Sequence, residues 1–366
     1  MGGADLLVLG AVLAVAYANG ANDSFKGVAT LYGGGAASYR VALFWAVGTT
    51  LAGSLVAAFL AESLIKAFSG AGLVPASILA DPAFITAVAL GAAFTVFATA
   101  LAGIPISTTH ALTGALAGAG FLAAGSDLKL GVLGGAFFLP LALSPLLSVM
   151  LVATLYPAFL RLTRRFGLTR TSCICIGTMQ TVSASEGAAV LSRHFAYASE
   201  TVDCPPTEPD AFWKFDIAPL LRRVHFVSAG AVSFARGVND TPKIIGIALA
   251  AHAFALETSI VAIALAMALG GLLHSRRIAR TMSERILPFN EAEGTLANLV
   301  TSGMVISASA FGLPVSTTHV SVGSLFGLGA AKGEMRWTVA GGIAISWLLT
   351  LPAALAAAAL VYLLIG

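Results

Sequence analysis

The sequence predicts an all-α polytopic membrane protein built from two inverted-topology repeats, with broken helices and about ten crossings. Three observations predict it. Hydrophobic residues make up 58% of the 366-residue chain and charged ones only 10%, with a mean hydropathy of +0.91. A soluble domain is about a quarter charged, so this chain cannot cover a solvated surface; a cytosolic enzyme, a secreted disulfide scaffold and a disordered chain are excluded. The charge is also clustered, with fourteen charged residues in 156–225 and seven in 274–293. What remains is mostly apolar runs of about 20 residues, enough to cross a hydrocarbon core about 30 Å thick. Finally, two polar motifs each occur twice, in the same order.

Taken in order, the apolar runs place crossings near 3–36, 41–60, 83–103, 105–124 and 130–155, and again near 219–250, 254–273, 294–312, 314–331 and 336–363. The first crossing of each half is too long and is interrupted by polar residues. The 62–82 stretch reads as a short re-entrant or surface helix. The run Gly2 to Ala18 lacks a basic leader and passes directly into a polar motif, so no removable signal peptide is expected. The predicted organisation is a first transmembrane repeat over 1–155, a cytoplasmic loop or small insert over 156–218, and a second, inverted repeat over 219–366.

The repeats rest on two string matches. Ala21 to Gly27 (ANDSFKG) recurs as Val238 to Ile244 (VNDTPKI), and Gly103 to His110 (GIPISTTH) recurs as Gly312 to His319 (GLPVSTTH). Five crossings per half is an odd number, so the second copy must face the opposite way. With the N-terminus outside, fifteen of the 17 basic residues outside the motif regions fall on the cytoplasmic side, against Lys66 and Lys129. Both termini are then external, in a cell inner (plasma) membrane. The net charge of +3 reflects this topology, and no aromatic-interleaved basic groove suggests nucleic acid.

Asp23, Lys26, Asp240 and Lys243 lie within apolar segments, where an ionisable residue is expensive and marks function by default. The alternative is that each Asp pins the Lys three residues on as a neutral structural pair. Asn19, Gly20, Asn22 and Gly27, and in the second copy Gly237, Asn239 and Pro242, weaken helical continuity around these charges. Unwound backbone at membrane depth must be buried or line a cavity, and paired broken helices in inverted repeats point to a midplane ligand site. Pro105 and Pro314 precede Ser107-Thr108-Thr109-His110 and Ser316-Thr317-Thr318-His319. Proline at a helix start followed by Ser and Thr presents free N–H groups with hydroxyl donors, a geometry for an anion. A single Ser/Thr cluster would read as a cap or packing element, but the doubled string argues for more. His110 and His319 either bind ligand, relay protons or cap structure.

Arg236 either neutralises an anion or snorkels to a membrane edge, and its first-half equivalent by position is Asn19 or Ala18. Glu257 begins the 254–273 run, at an external edge or in proton coupling. Cys173, Cys175, His194 and Cys204 fit no strong zinc spacing, so reduced cytoplasmic cysteines are expected and no metal is assigned.

At these motifs the chain resembles the inorganic phosphate transporter (PiT) family of secondary transporters, which includes sulfate permeases. Each half of that family carries Gly-x-Asn-Asp followed by Pro-x-Ser-Thr-Thr-His, here Gly20 to Asp23, Gly237 to Asp240, Pro105 to His110 and Pro314 to His319. The resemblance covers both transmembrane halves and omits the 156–218 loop. It implies a cation-symporting carrier, not an enzyme, with no cofactor and H+ or Na+ as coupling ion. Its substrate would be inorganic phosphate or sulfate, its surroundings membrane lipid, and its assembly a homodimer. It assigns the anion to Ser107, Thr108, Thr109, Ser316, Thr317 and Thr318 and shared cation and anion sites to Asn22, Asp23, Asn239 and Asp240, with coupling at the two aspartates; Lys26 and Lys243, which the family pattern lacks, join the anion-site candidates on this chain's own residues.

The chain departs from the pattern where family members read Asn-Asp-x-Ala-Asn. Here Lys26 and Lys243 replace the second amide. An ammonium beside the Asp is an internal counter-charge where a bound sodium would otherwise sit. The consequences expected are weakened or lost sodium dependence, with proton coupling or direct contact between the lysines and the anion in its place, and a stronger case for sulfate. A channel would need a continuous pore with several weak sites, which doubled broken helices do not suggest.

Overall fold

The computed structural model describes residues 2–60, 62–165, 173–182, 189–198, 211–250 and 256–366. The first half runs α1 (Gly3–Asp23), a run of turns, α2 (Ala29–Gly33), α3 (Tyr39–Leu60), the short α4 (Glu62–Phe68) and α5 (Ala76–Leu79), then α6 (Pro82–Ala102) and α7 (Thr108–Ala124). It closes with α8 (Leu130–Val132), which continues through a π-helical stretch into α9 (Leu139–Arg165). The second half runs α10 (Ile217–Ala250), α11 (Leu256–His274), α12 (Arg276–Arg280), α13 (Glu291–Ala310), α14 (Thr317–Lys332) and α15 (Trp337–Ile365). Among the described residues six helical segments are long and apolar enough to cross a membrane: Gly3–Asp23, Tyr39–Ala57, Pro82–Ala102, Leu130–Arg165, Leu256–His274 and Trp337–Ile365. Large apolar side chains such as Phe59, Phe94, Phe311 and Leu348 face outward, as lipid contact requires.

Local chemistry sets the helix ends that matter for the site. α6 begins at Asp81, whose side chain accepts from the Ala83 N–H at 2.9 Å, with Pro82 in the first turn. It ends at Gly103, φ 74°, with the Gly103 and Ile104 N–H groups bonded back to Ala100 and Thr99. α13 ends the same way at Gly312, φ 68°. Pro105 and Pro314 then oppose helical continuation, until Ser107 and Ser316 cap the next helix by accepting the His110 and His319 N–H groups at 3.1 and 3.2 Å. The doubled Gly-x-Pro-x-Ser string is therefore a stop, a bend and a start.

Helix packing exchanges partners between the halves. α1 packs along α11 and α10 along α3; α7 packs along α15 and α14 along α9. Each seam is narrowed by glycine. A side chain on Gly20 would meet the Met267 carbonyl and one on Gly53 the Phe234 carbonyl, while Gly118 and Gly327 lie against the backbone at Leu355 and Val149. Two large apolar clusters fill the interior, one around α1, α6, α7 and α11, the other around α3, α9, α13 and α14.

One expectation is corrected. Only the first half has a broken first crossing: α10 runs unbroken through Asn239, Asp240 and Pro242. Proline removes one main-chain hydrogen bond, but the packing of α10 against α3 and α13 holds the helix despite its composition. Within the 156–218 segment, read as a loop or small insert, α9 extends to Arg165 and three antiparallel strands follow, β1 (Cys173–Val182), β2 (Ala189–Ala198) and β3 (Ala211–Asp216), in the order β2-β1-β3. Cys173 and Cys175 thus lie in β1 and His194 in β2, opposite Gly177. Cys204 and the proline-rich stretch from Pro205 to Pro209 lie outside the described residues. The short helices α4 and α5 occupy the 62–82 stretch, with Leu64 and Phe68 buried.

Candidate functional site

The polar motifs converge where the end of α1, the middle of α10 and the first turns of α7 and α14 meet. Every side chain assigned to the anion and to coupling is buried there: Asn22, Asp23, Lys26, Ser107, Thr108 and Thr109 from the first half, Asn239, Asp240, Lys243, Ser316, Thr317 and Thr318 from the second.

The two lysines are held in matching cages of oxygen. Lys26 Nζ is paired with Asp23 Oδ1 and donates to the Ile106 carbonyl at 2.8 Å and to Thr318 Oγ1 at 2.6 Å. Lys243 Nζ donates to the Val315 carbonyl and to Thr109 Oγ1, both at 2.7 Å, and lies 3.4 Å from Asp240 Oδ1. Each ammonium therefore binds its own half's carboxylate, the carbonyl just before its own half's Ser-Thr-Thr run, and the second threonine of the opposite run. The asparagines follow suit: Asn22 Nδ2 donates to the Ile106 carbonyl at 2.8 Å and Asn239 Nδ2 to the Val315 carbonyl at 3.2 Å.

The remaining hydroxyls divide their tasks. Thr108 donates to Asp23 Oδ2 at 3.2 Å and Thr317 approaches Asp240 Oδ2 at 3.5 Å. The Ser107 and Ser316 oxygens serve as helix caps, and the Ser107 oxygen also meets His110 Nδ1 at 3.0 Å. The two motif histidines meet between the halves, with ring centroids 4.4 Å apart, and His319 lies against Trp347 at 4.1 Å.

Arg236 and Asn19 are the residues whose place sequence reasoning underestimated. Arg236 is 1% exposed, lies 3.6 Å from Asp240 Oδ2 through Nε, and donates to Asn19 Oδ1 at 2.8 Å and Ser24 Oγ at 3.2 Å. Asn19 in turn donates to Asp23 Oδ2 at 3.0 Å, Thr108 Oγ1 at 3.1 Å and Asp240 Oδ2 at 3.2 Å. The signal was present, since Asn19 stands three residues before Asn22 as Arg236 stands three before Asn239. With Arg236 included, three cations face two carboxylates in one buried cluster, leaving a formal excess of one positive charge. Buried charge of one sign beside hydroxyl donors suits an anion, whose charge completes the balance. Glu257 is exposed at the start of α11 and belongs to none of this. Among the described residues no cluster of three His, Cys, Asp or Glu side chains could hold a metal ion.

The known proteins that this chain is similar to are phosphate transporters and permeases. A probable low-affinity inorganic phosphate transporter of Mycobacterium leprae is 28% identical over 369 residues, covering 98% of this chain and 77% of that protein. One of Rhizobium meliloti is 28% identical, covering 94% of this chain and 92% of that protein. A putative phosphate permease of Pyrococcus abyssi is 25% identical across 95% of this chain and 94% of its own. A solved structure described as the sodium-dependent phosphate transporter shares the fold, with a TM-score of 0.77 at 19% identity over 99% of this chain and 98% of that one. A model described as the Phosphate transporter family matches residues 19–358, which span both motif pairs and the buried charge cluster between them; the chain belongs to the phosphate transporter family.

Proposed function

We propose that this chain is a secondary active importer of inorganic phosphate in the plasma (inner) membrane, driven by proton symport and working by alternating exposure of one central site. In this reading 1–155 and 219–366 are inverted repeats of about ten crossings together, 156–218 is cytoplasmic, and both termini are external. The observation that carries it is the exchange of threonines, Lys26 to Thr318 and Lys243 to Thr109. A ligand that draws on both lysines and both Ser-Thr-Thr runs bears on all four helices at once, so its binding is felt across the whole repeat interface. Ser107, Thr108, Thr109, Ser316, Thr317, Thr318, Asn22, Asn239, Lys26 and Lys243 would serve the anion, and Asp23 and Asp240 the coupling.

The cages also support independence from sodium. A carboxylate, a main-chain carbonyl and a hydroxyl are the hard oxygen ligands a small cation takes, and in each cage a lysine ammonium already fills that role. The structural relative is described as sodium-dependent; here two tethered cations stand in for dissolved ones, which leaves the proton as the coupling ion. Sulfate is the second reading. Both carboxylates are engaged by Lys, Asn and Thr donors, so little acceptor capacity remains for the proton of hydrogen phosphate, whereas sulfate brings no proton.

The test is uptake of radiolabelled phosphate and sulfate into proteoliposomes, with sodium and proton gradients imposed separately. Phosphate uptake driven by protons alone is expected. Sulfate preference moves the protein to the second reading, and strict sodium dependence overturns the tethered-cation account.

A further inference from the structure

Away from the central site, the outer faces of α1, α6 and α15 enclose an apolar trough of about 990 Å³, lined by Tyr17, Leu90, Phe94, Phe97, Ala357 and Leu360 among others. Leu90, Phe94, Phe97 and Leu101 form one stripe along α6, and that stripe ends in a second cavity of about 350 Å³. This second cavity is lined by Leu101, Leu273, His274, Arg276, Arg277 and Arg280. An aromatic cluster joins the two spaces: ring centroids lie 5.8 Å apart for Tyr17 and Phe97 and 5.3 Å for Phe97 and His274, and Tyr17 Oη is 2.6 Å from His274 Nδ1.

The three arginines are exposed and stand where the apolar spans Pro82–Ala102 and Leu256–His274 end. Among the described residues none of them has a carboxylate within ion-pair distance; Arg277 is bonded to the Leu101 carbonyl. Guanidinium groups are preorganised for the oxygens of phosphate, and basic pockets between membrane helices bind anionic headgroups. The apolar stripe fits the other end of such a molecule. From Leu90 to Leu101 α6 rises about 16 Å, close to the depth of one leaflet of a hydrocarbon core about 30 Å thick.

We propose that the trough and the arginine pocket together hold one anionic phospholipid, its phosphate on Arg276, Arg277 and Arg280 and an acyl chain along the Leu90–Leu101 stripe. Charge complementarity selects this occupant, since a neutral tail alone leaves three guanidinium groups unmatched and a free phosphate leaves the trough unused. The lipid site is separate from the central cluster and does not depend on which anion is transported.

The test compares lipid retention by the full chain, purified from vesicles containing equal phosphatidylglycerol and phosphatidylcholine, using native mass spectrometry. Wild type is expected to retain phosphatidylglycerol selectively. Arg276→Gln with Arg280→Gln, which spares the Arg277 bond, is expected to lower that retention on the order of tenfold, as the loss of charge-assisted hydrogen bonds implies. Ala357→Trp, which fills the trough and leaves the arginines intact, is expected to lower it as well. Equal retention of the two lipids by wild type overturns the proposal and stays readable if a variant fails to fold. Displacement of the signal by excess inorganic phosphate, or unchanged retention with Ala357→Trp, assigns the pocket to free phosphate and overturns it too. Cross-linking of two chains across the trough in wild type would assign this face to a second copy, with the same consequence.

Discussion

Asn19 and Arg236 occupy equivalent positions in the two halves and are hydrogen-bonded to each other, Arg236 Nη2 donating to Asn19 Oδ1 at 2.8 Å. The motif residues on either side keep matching partners in the two halves, but this pair breaks the equivalence: one half contributes an amide and the other a full positive charge. That difference supplies the excess charge of the buried cluster. Arg236→Gln is therefore expected to reduce anion uptake by at least about tenfold, because removing one partner of a buried ion pair costs several kcal/mol and leaves Asp240 short of a cation. Initial uptake rates, normalised to reconstituted protein, measure it; a variant that transports at the wild-type rate removes Arg236 from the site.

The crossed threonines make a symmetric prediction. Thr109→Val and Thr318→Val each delete one hydroxyl bonded to a lysine, at 2.7 and 2.6 Å. A hydrogen bond to a charged group contributes about 1.5–3 kcal/mol, so each change should weaken the apparent substrate affinity by about tenfold or more, and by similar factors. The concentration dependence of uptake reads this out. A large effect at one position and none at the other would show that the halves do not share the anion equally.

Asp23→Asn and Asp240→Asn keep the shape of each cage and remove its negative charge. Coupled uptake should fall to background in both while the protein still reaches the membrane. Counter-flow exchange of labelled for unlabelled substrate separates loss of coupling from loss of binding, and unchanged gradient-driven uptake in both variants refutes the coupling role.

The double variant Lys26→Asn, Lys243→Asn returns an amide to each cage and removes both tethered cations. Uptake should become sodium-stimulated, whereas the wild type is expected to ignore sodium. Absence of any sodium response in a folded double variant would mean that the cages do not substitute for dissolved cations.

The glycine seams predict stability. A side chain on Gly53 would run into the Phe234 backbone, while one on Gly48, on the same helix, meets nothing within 4 Å. Gly53→Val should lower the thermal midpoint of the detergent-purified protein, in keeping with the roughly 1–3 kcal/mol typical of overpacking, and Gly48→Val should change it much less.

The helices and the motif chemistry were legible in the sequence because their causes are local. Apolar runs, Gly103 and Gly312 as helix stops, Pro105 and Pro314, and the Ser107 and Ser316 caps each act over a few residues, and the expected crossings match the observed helices to within a few positions except near α9. The duplicated strings marked the residues that meet at the centre. Three features were decided by the tertiary structure alone. α10 stays whole through Pro242 because neighbouring helices hold it, which no propensity within the segment encodes. Arg236 is buried at the centre because Asn19 of α1 and Ser24 just after it meet its guanidinium. Lys26 finds Thr318 292 residues further along the chain, a pairing that arises only when the two halves fold against one another.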